Sequence, residues 1–479
     1  MWLNTSMIMA SNSTSCVAAA GPLRSVAVAG SPVAPTLSRS LRLPHATALV
    51  VGTILGSAVF VQASELTEHV PRIWAVLLAW SVSGVLTLFG ALACAELATA
   101  FPRTGGVYIF LKETYAPVAG FLWGWAMFWV MHSGIIAAMA TVFGRYAAFF
   151  VPIGDRGIRA VAVATILGVS ALNYVGVKRS STVQTAFTVG KVIAVVLIVV
   201  VGLLVGSRLP EHFQQGSGLA AGEVHPQEFL LALIAGLFAF GGWHVVTYTA
   251  EETVDPERTI PRALVLGILI VTTCYVALNT VYFYVLPLDR VVRSTRVAAD
   301  TATALLGAPG GAAISGLVMF SVFGAMTGSV LAAPRVYFAM AKDGLLFDWV
   351  NHVHPRFRTP DRAIVLQACW ASVLAGTGTY RQLFTRVIFT EWIFFALMAG
   401  GIFLLRRRPS YQPVYRVWGH PWVPIAFVVA SATIVVNRLI SDPIDSAIGL
   451  AIVAAGIPVF YLSSSRAAVR DESVARVSS

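Results

Sequence analysis

Charge is what this 479-residue sequence has least of. Asp, Glu, Lys and Arg together make 11% of it, against about 25% in an average soluble domain. No stretch is long or polar enough for a separate soluble domain. Cysteine is scarce too: Cys16, Cys94, Cys274 and Cys369. The last three fall inside apolar runs, and no spacing matches a metal-ligand set or a disulfide framework. No hydrolase triad and no phosphate-binding glycine loop appears. These absences argue against an enzyme and against any cofactor or metal. Met1-Trp2-Leu3-Asn4 has no basic n-region, so a cleaved signal peptide is not expected.

What the sequence does have is apolar length. Hydrophobic residues make 57% of the chain, and the mean hydropathy is +0.77. Twelve runs read as membrane spans, near 44–63, 72–99, 117–150, 158–177, 182–206, 229–250, 263–286, 312–340, 363–380, 383–405, 422–440 and 446–464. The expectation is an all-α membrane protein in a lipid bilayer. Residues 1–43 read as a disordered cytoplasmic tail, 44–464 as the membrane domain and 465–479 as a cytoplasmic tail. A net charge of +11 would suggest nucleic acid as partner of a soluble protein. Here it reports topology and no nucleic acid is expected. With the N-terminus inside, Lys and Arg favour the cytoplasmic loops by roughly two to one, which places both termini in the cytoplasm.

Two spans carry weak points. In the sixth, Phe238-Ala239-Phe240-Gly241-Gly242-Trp243 puts two glycines where the helix should be strongest. In the first, Gly56-Ser57-Ala58 does the same with small residues. A broken helix in lipid is tolerated where its freed backbone groups line a cavity or meet protein. Breaks in corresponding spans of two halves point to a site at the bilayer midplane and to a five-plus-five inverted repeat with two further spans. Amides freed at Gly56, Ser57 and Ala58 suit a carboxylate; small residues there equally suit close helix packing. Carbonyls freed around Phe240, Gly241 and Gly242 suit an ammonium group. Together the two breaks make a receptor for a zwitterion, which Phe238, Phe240 and Trp243 would cover or gate, unless these aromatics are ordinary packing.

Two ionisable side chains stand well inside spans, where they are costly. Lys191 suits a proton carrier, a fixed cation bridging helices, or a lysine snorkelling to the interface. Glu391 suits a substrate contact, a proton exchanger or a protonated structural carboxyl. His132 and His244 read more readily as helix-to-helix hydrogen-bond partners.

The motifs resemble, in order, those of the amino acid–polyamine–organocation transporter superfamily, closest to its L-type amino acid transporter branch and bacterial relatives. They are Gly52-Thr53-Ile54-Leu55-Gly56-Ser57-Ala58-Val59-Phe60, Ala95-Glu96-Leu97-Ala98-Thr99-Ala100-Phe101-Pro102-Arg103-Thr104-Gly105-Gly106, and Gly236-Leu237-Phe238-Ala239-Phe240-Gly241-Gly242-Trp243. Glu251-Glu252, Asp255-Pro256-Glu257-Arg258, Pro261, Pro334-Arg335, Asp343-Gly344 and Leu405-Arg406-Arg407-Arg408 complete the set. The resemblance covers about residues 44 to 464. It implies a LeuT-type fold with broken helices 1 and 6, alternating access and a small-molecule amino acid substrate. It also implies carboxylate binding at Ser57 and Ala58, and amine binding at the carbonyls of Ile54, Phe238 and Gly241 with Phe238 as gate. Lys191 resembles the span-five lysine that occupies a sodium-site position in sodium-independent members, and Glu391 resembles a substrate-lining position of span ten.

Two departures stand out. The family pattern has a second glycine where this chain has Ala58. The loop Val151-Pro152-Ile153-Gly154-Asp155-Arg156-Gly157 lacks the cysteine through which animal L-type proteins hold a heavy chain, so no disulfide-linked heavy chain is expected. The reading is a sodium-independent amino acid transporter, exchanger or proton-coupled. A polyamine or organic-cation carrier and a non-transporting amino acid sensor are the alternatives.

Overall fold

The computed structural model describes residues 41–478 except 57–59, 61, 104, 176–179, 206–223, 358 and 379; for 180–184, 380–388 and 463–478 it describes backbone only. The described residues form helices, and their only β pairing is an isolated bridge between Leu41 and Thr253. Nine helical stretches among them are long and apolar enough to cross a membrane, and Leu43–Ile54 and Phe389–Leu405 are shorter apolar helices. The chain is a multi-pass membrane protein.

The helices in order are α1 (Leu43–Ile54), α2 (Gln62–His69), α3 (Ile73–Ala100), α4 (Val107–Thr114), α5 (Pro117–Ala126) and α6 (His132–Ala147). A π turn, Met127–Met131, joins α5 to α6. Then come α7 (Asp155–Val175), α8 (Ser180–Val205), α9 (Pro226–Ala239), a 3-10 helix (Trp243–Glu252), α10 (Pro256–Val285), α11 (Leu288–Arg293) and α12 (Val297–Lys342). The last four are α13 (Asp361–Thr377), α14 (Tyr380–Leu405), α15 (Trp422–Ser441) and α16 (Pro443–Ser478). Proline opens several of them: Pro44, Pro117, Pro226 and Pro256 sit in first turns, where a missing N–H costs nothing. The 44–63 run is therefore two helices, and the 312–340 run is the rear of α12, which kinks at Gly307. The 363–380 run corresponds to a 17-residue helix, α13.

Lipid is as apolar as the side chains, so spans associate through close fit rather than water expulsion. α10 packs on α3, α1 and α8. A Cβ added at Gly84 of α3 would stand 2.5 Å from the Thr272 hydroxyl of α10. The absence of a side chain lets these two helices approach.

One end of the bundle is tied by polar groups. Glu96, fully buried, accepts from Arg406 Nε at 2.9 Å and Nη2 at 2.6 Å, from Tyr411 Oη at 3.2 Å and from the Val417 N–H at 2.6 Å. That satisfies a carboxylate that would otherwise be prohibitive to bury. At the same end Asp343 accepts from Tyr108 Oη at 2.5 Å and Lys112 Nζ at 2.6 Å. Burial first, and then Asp343, pushes the Tyr108 hydroxyl pKa up. Leu41 clasps the end of the 3-10 helix: its N–H donates to the Glu252 carbonyl at 3.0 Å and its carbonyl accepts from the Val254 N–H at 2.9 Å. Arg335 Nη2 stands 3.2 Å from Glu252 Oε1.

Candidate functional site

Helix α1 stops at Ile54 because Leu55 turns the chain. Leu55 has φ −69° and ψ 63°, and the Gly56 N–H donates to the Ile54 carbonyl at 2.6 Å. That is an inverse γ-turn. A helix end leaves carbonyls without helical partners, and here other elements supply them. Lys191 Nζ on α8 donates to the Gly52 carbonyl at 3.1 Å. Tyr275 Oη on α10 lies 2.8 Å from the Ile54 carbonyl. Lys191 is only 2% exposed, so it bridges α8 to α1 and does not snorkel. Its position at a helix C-terminus is where the backbone dipole favours a cation. One turn earlier, the Thr188 hydroxyl donates to the Ala48 carbonyl at 3.0 Å, fixing the register of the two helices. Ser57 and Ala58 lie outside the described residues.

Helix α9 stops at Ala239. The Gly241 N–H donates back to the Phe238 carbonyl at 2.9 Å, and Gly242 adopts φ +94°, a region that glycine enters at no steric cost. A side chain there would also stand 3.4 Å from the Thr53 carbonyl oxygen. Beyond it the chain continues as a 3-10 stretch, Trp243–Glu252, that kinks at Thr249; 3-10 geometry is used in short pieces.

The two breaks touch. Thr53 Oγ1 lies 3.2 Å from the Gly242 carbonyl, with the Leu49 and Val50 carbonyls of its own helix at 2.8 and 3.0 Å. One hydroxyl hydrogen serves one of them at a time. Tyr275 Oη makes the second link, being 2.8 Å from the Ala239 carbonyl as well as from that of Ile54. Beyond the break, Gln62 Nε2 on α2 donates to the Ala235 carbonyl of α9 at 3.1 Å.

Between the breaks lies a cavity of about 40 Å³, room for a few waters at roughly 10–15 Å³ each. Its wall includes Ile54, Gly56, Phe238, Gly241, Gly242 and Glu391 from the sequence-derived set. Two members of that set point elsewhere. Phe240 is fully buried against Trp80 and Tyr275, with ring centroids 6.4 and 5.0 Å away. Trp243 packs on Phe395 at 4.9 Å. Lys191 acts on the outer side of α1, through Gly52.

The sequence-derived site set left out six contributors to the wall: Thr53, Ile135, Met139, Ala239, Val245 and Ser329; His132 it weighed only as a helix partner. His132 is the first residue after the π turn, a widening that often marks functional positions. Its two ring nitrogens, and Glu391 Oε1, have no hydrogen-bond partner among the described residues. His244 is fully buried behind it, with ring centroids 6.1 Å apart. The cavity wall thus combines residues of the two breaks with the buried polar side chains of His132 and Glu391 in a mostly apolar lining. That chemistry fits a small molecule with a charged or polar group at each end. Groups of three or more His, Cys, Asp or Glu able to hold a metal are absent among the described residues.

Comparison with known proteins shows the family. A family profile described as amino acid permease matches residues 41–460. The serine/threonine exchanger SteT of Bacillus subtilis (strain 168) is 34% identical over 429 residues, covering 89% of this chain and 97% of that protein. The cystine/glutamate transporter of Homo sapiens is 29% identical over 437 residues, covering 89% and 85%. The large neutral amino acids transporter small subunit 2 of Homo sapiens is 30% identical over 445 residues, covering 89% and 80%.

Proposed function

Since the chain belongs to the amino acid permease family, within the amino acid–polyamine–organocation superfamily, we propose that it carries amino acids across the membrane by alternating access, without sodium, as an exchanger or with protons. The observation that carries this reading is the meeting of the two helix breaks at one buried cavity. In this reading the fold is a LeuT-type five-plus-five inverted repeat of twelve spans within residues 44–464, with both termini in the cytoplasm. The substrate carboxylate meets amides at Ser57 and Ala58, and that of Gly56 once its turn to the Ile54 carbonyl opens. Its amine meets the carbonyls of Ile54, Phe238 and Gly241, and Phe238 covers it.

The Ile54 carbonyl already accepts from Gly56 and Tyr275. An arriving amine therefore exchanges one hydrogen bond for another and adds few new ones. That suits a carrier, which must release what it binds. A cavity of about 40 Å³ also requires the walls to part before substrate enters. The Leu41 and Arg335 contacts to Glu252 would then hold the cytoplasmic end shut until it opens. Lys191 in this account replaces a coupling cation by a tethered one at the Gly52 carbonyl.

The relatives bear names that include serine and threonine, cystine and glutamate, and large neutral amino acids. For this chain we assign the class of zwitterionic amino acids. Glu391 on the cavity wall favours one other reading, a polyamine or organic-cation carrier. Uptake into proteoliposomes of labelled amino acids beside labelled putrescine separates the two: saturable amino acid uptake supports the first, and putrescine uptake alone supports the second. The 151–157 loop carries no cysteine, so the account includes no disulfide-linked heavy chain.

A further inference from the structure

A second concavity lies away from the cavity described above. It is a groove of about 400 Å³ between α5 with its π turn, the end of α12, the 346–350 segment and α13. Its wall is aromatic, with Trp125, Phe128, Trp129, Phe347, Trp349 and Trp370. Two of the indole N–H groups are consumed by backbone carbonyls, Trp125 on Ile452 at 2.7 Å and Trp370 on Trp129 at 2.9 Å. The wall is mostly hydrocarbon and ring surface; the Trp129 indole N–H and the Tyr337 hydroxyl are buried without a partner among the described residues. Phe347 and Trp349 are 60% and 51% exposed, the placement of aromatic side chains at the level of lipid headgroups.

One arginine stands beside the groove. Arg362 donates from Nη1 to the Trp349 carbonyl at 3.3 Å and lies over the Trp349 ring, 5.6 Å from its centroid. A guanidinium has more donors than that bond uses. Nearby carboxylates are committed: Asp361 to His352 at 2.7 Å, and Asp343 to Lys112 and Tyr108; Asp348, next to Trp349, is not free either.

We propose that this groove is a binding site for an anionic diacyl phospholipid, with one acyl chain against the tryptophan wall and the phosphate at Arg362. The apolar wall accounts for the chain, and the arginine at its mouth accounts for the charge. Planar guanidinium pairs phosphate through parallel N–H bonds, and basic pockets between spans on the cytoplasmic side are where anionic headgroups bind.

The full chain, reconstituted in vesicles of equal parts phosphatidylcholine and phosphatidylglycerol, would be released into mild detergent and weighed by native mass spectrometry. The expected result is retained phosphatidylglycerol over phosphatidylcholine by roughly fivefold, the factor one arginine near an anionic surface supplies. Arg362→Gln should reduce that ratio to near one. Cys369 lines the same groove and gives a measurement on the unmutated chain. Its labelling by N-ethylmaleimide, a neutral reagent, read by peptide mapping, should be several-fold slower in phosphatidylglycerol vesicles than in phosphatidylcholine alone. Equal retention of the two lipids, a preference that survives Arg362→Gln, or equal Cys369 labelling would overturn the proposal. So would lipid-free dimers, which would mean that a second copy of the chain covers the groove.

Discussion

The hydroxyl of Tyr275 lies 2.8 Å from the carbonyl of Ile54 and 2.8 Å from that of Ala239. These are the last residues of α1 and α9. One side chain on a third helix thus stands at the end of both interrupted helices. Its single hydrogen serves one of the two carbonyls at a time.

Tyr275→Phe keeps the ring against Trp80 and Phe240 and removes only the hydroxyl. Leaving one buried carbonyl less satisfied costs about 1–3 kcal/mol. The expected outcome is a lower thermal midpoint for the purified protein, together with slower exchange. An unaltered midpoint and rate would show that the tie is incidental.

Lys191→Met preserves the stem and removes the amine from the Gly52 carbonyl. The orphaned helix end should cost transport about fivefold or more, by the same 1–3 kcal/mol. Replacing external sodium with choline should leave wild-type uptake unchanged. Sodium-stimulated uptake, or a fully active Lys191→Met, would contradict the tethered-cation role.

Glu391→Gln separates charge from shape in the cavity wall. A zwitterion held by backbone groups should still be carried, within about tenfold of wild type, because the amide can replace most of a carboxylate's hydrogen bonding. Complete loss of amino acid uptake would place the carboxylate in an obligatory role, such as proton exchange.

Glu96→Ala should be the most damaging single change outside the cavity. It would leave Arg406 without its bidentate partner and the Val417 N–H without an acceptor. Breaking a buried ion pair typically costs about 3–5 kcal/mol, enough to reduce the yield of folded protein. Size-exclusion profiles of detergent-solubilised variant and wild type would show it; a profile matching wild type would mean the network is dispensable.

The positions of the two breaks were legible because glycines and small residues stand out in apolar runs, and α1 and α9 stop there. Lys191 and Glu391 were legible as lone ionisable groups within spans. The directions of Phe240 and Trp243 were not. The chain passes from an α to a 3-10 helix across Gly242, which resets the direction of Trp243, while Phe240 follows α9 into its packing on Trp80 and Tyr275. Tyr275 gave no signal, since an uncharged tyrosine in an apolar span looks like packing until its hydroxyl partner is seen. Glu96 and Arg406 are separated by 310 residues, beyond any local pattern.

The central claim is that the two breaks form a site that moves amino acids. Its most direct measurement is uptake of a labelled amino acid panel into proteoliposomes containing the full chain, with and without unlabelled amino acid inside and across imposed proton gradients. The account predicts saturable, sodium-independent uptake of at least one zwitterionic amino acid, accelerated either by internal amino acid or by an inward proton gradient. Binding without flux, or no saturable uptake of any member of the panel, would contradict it.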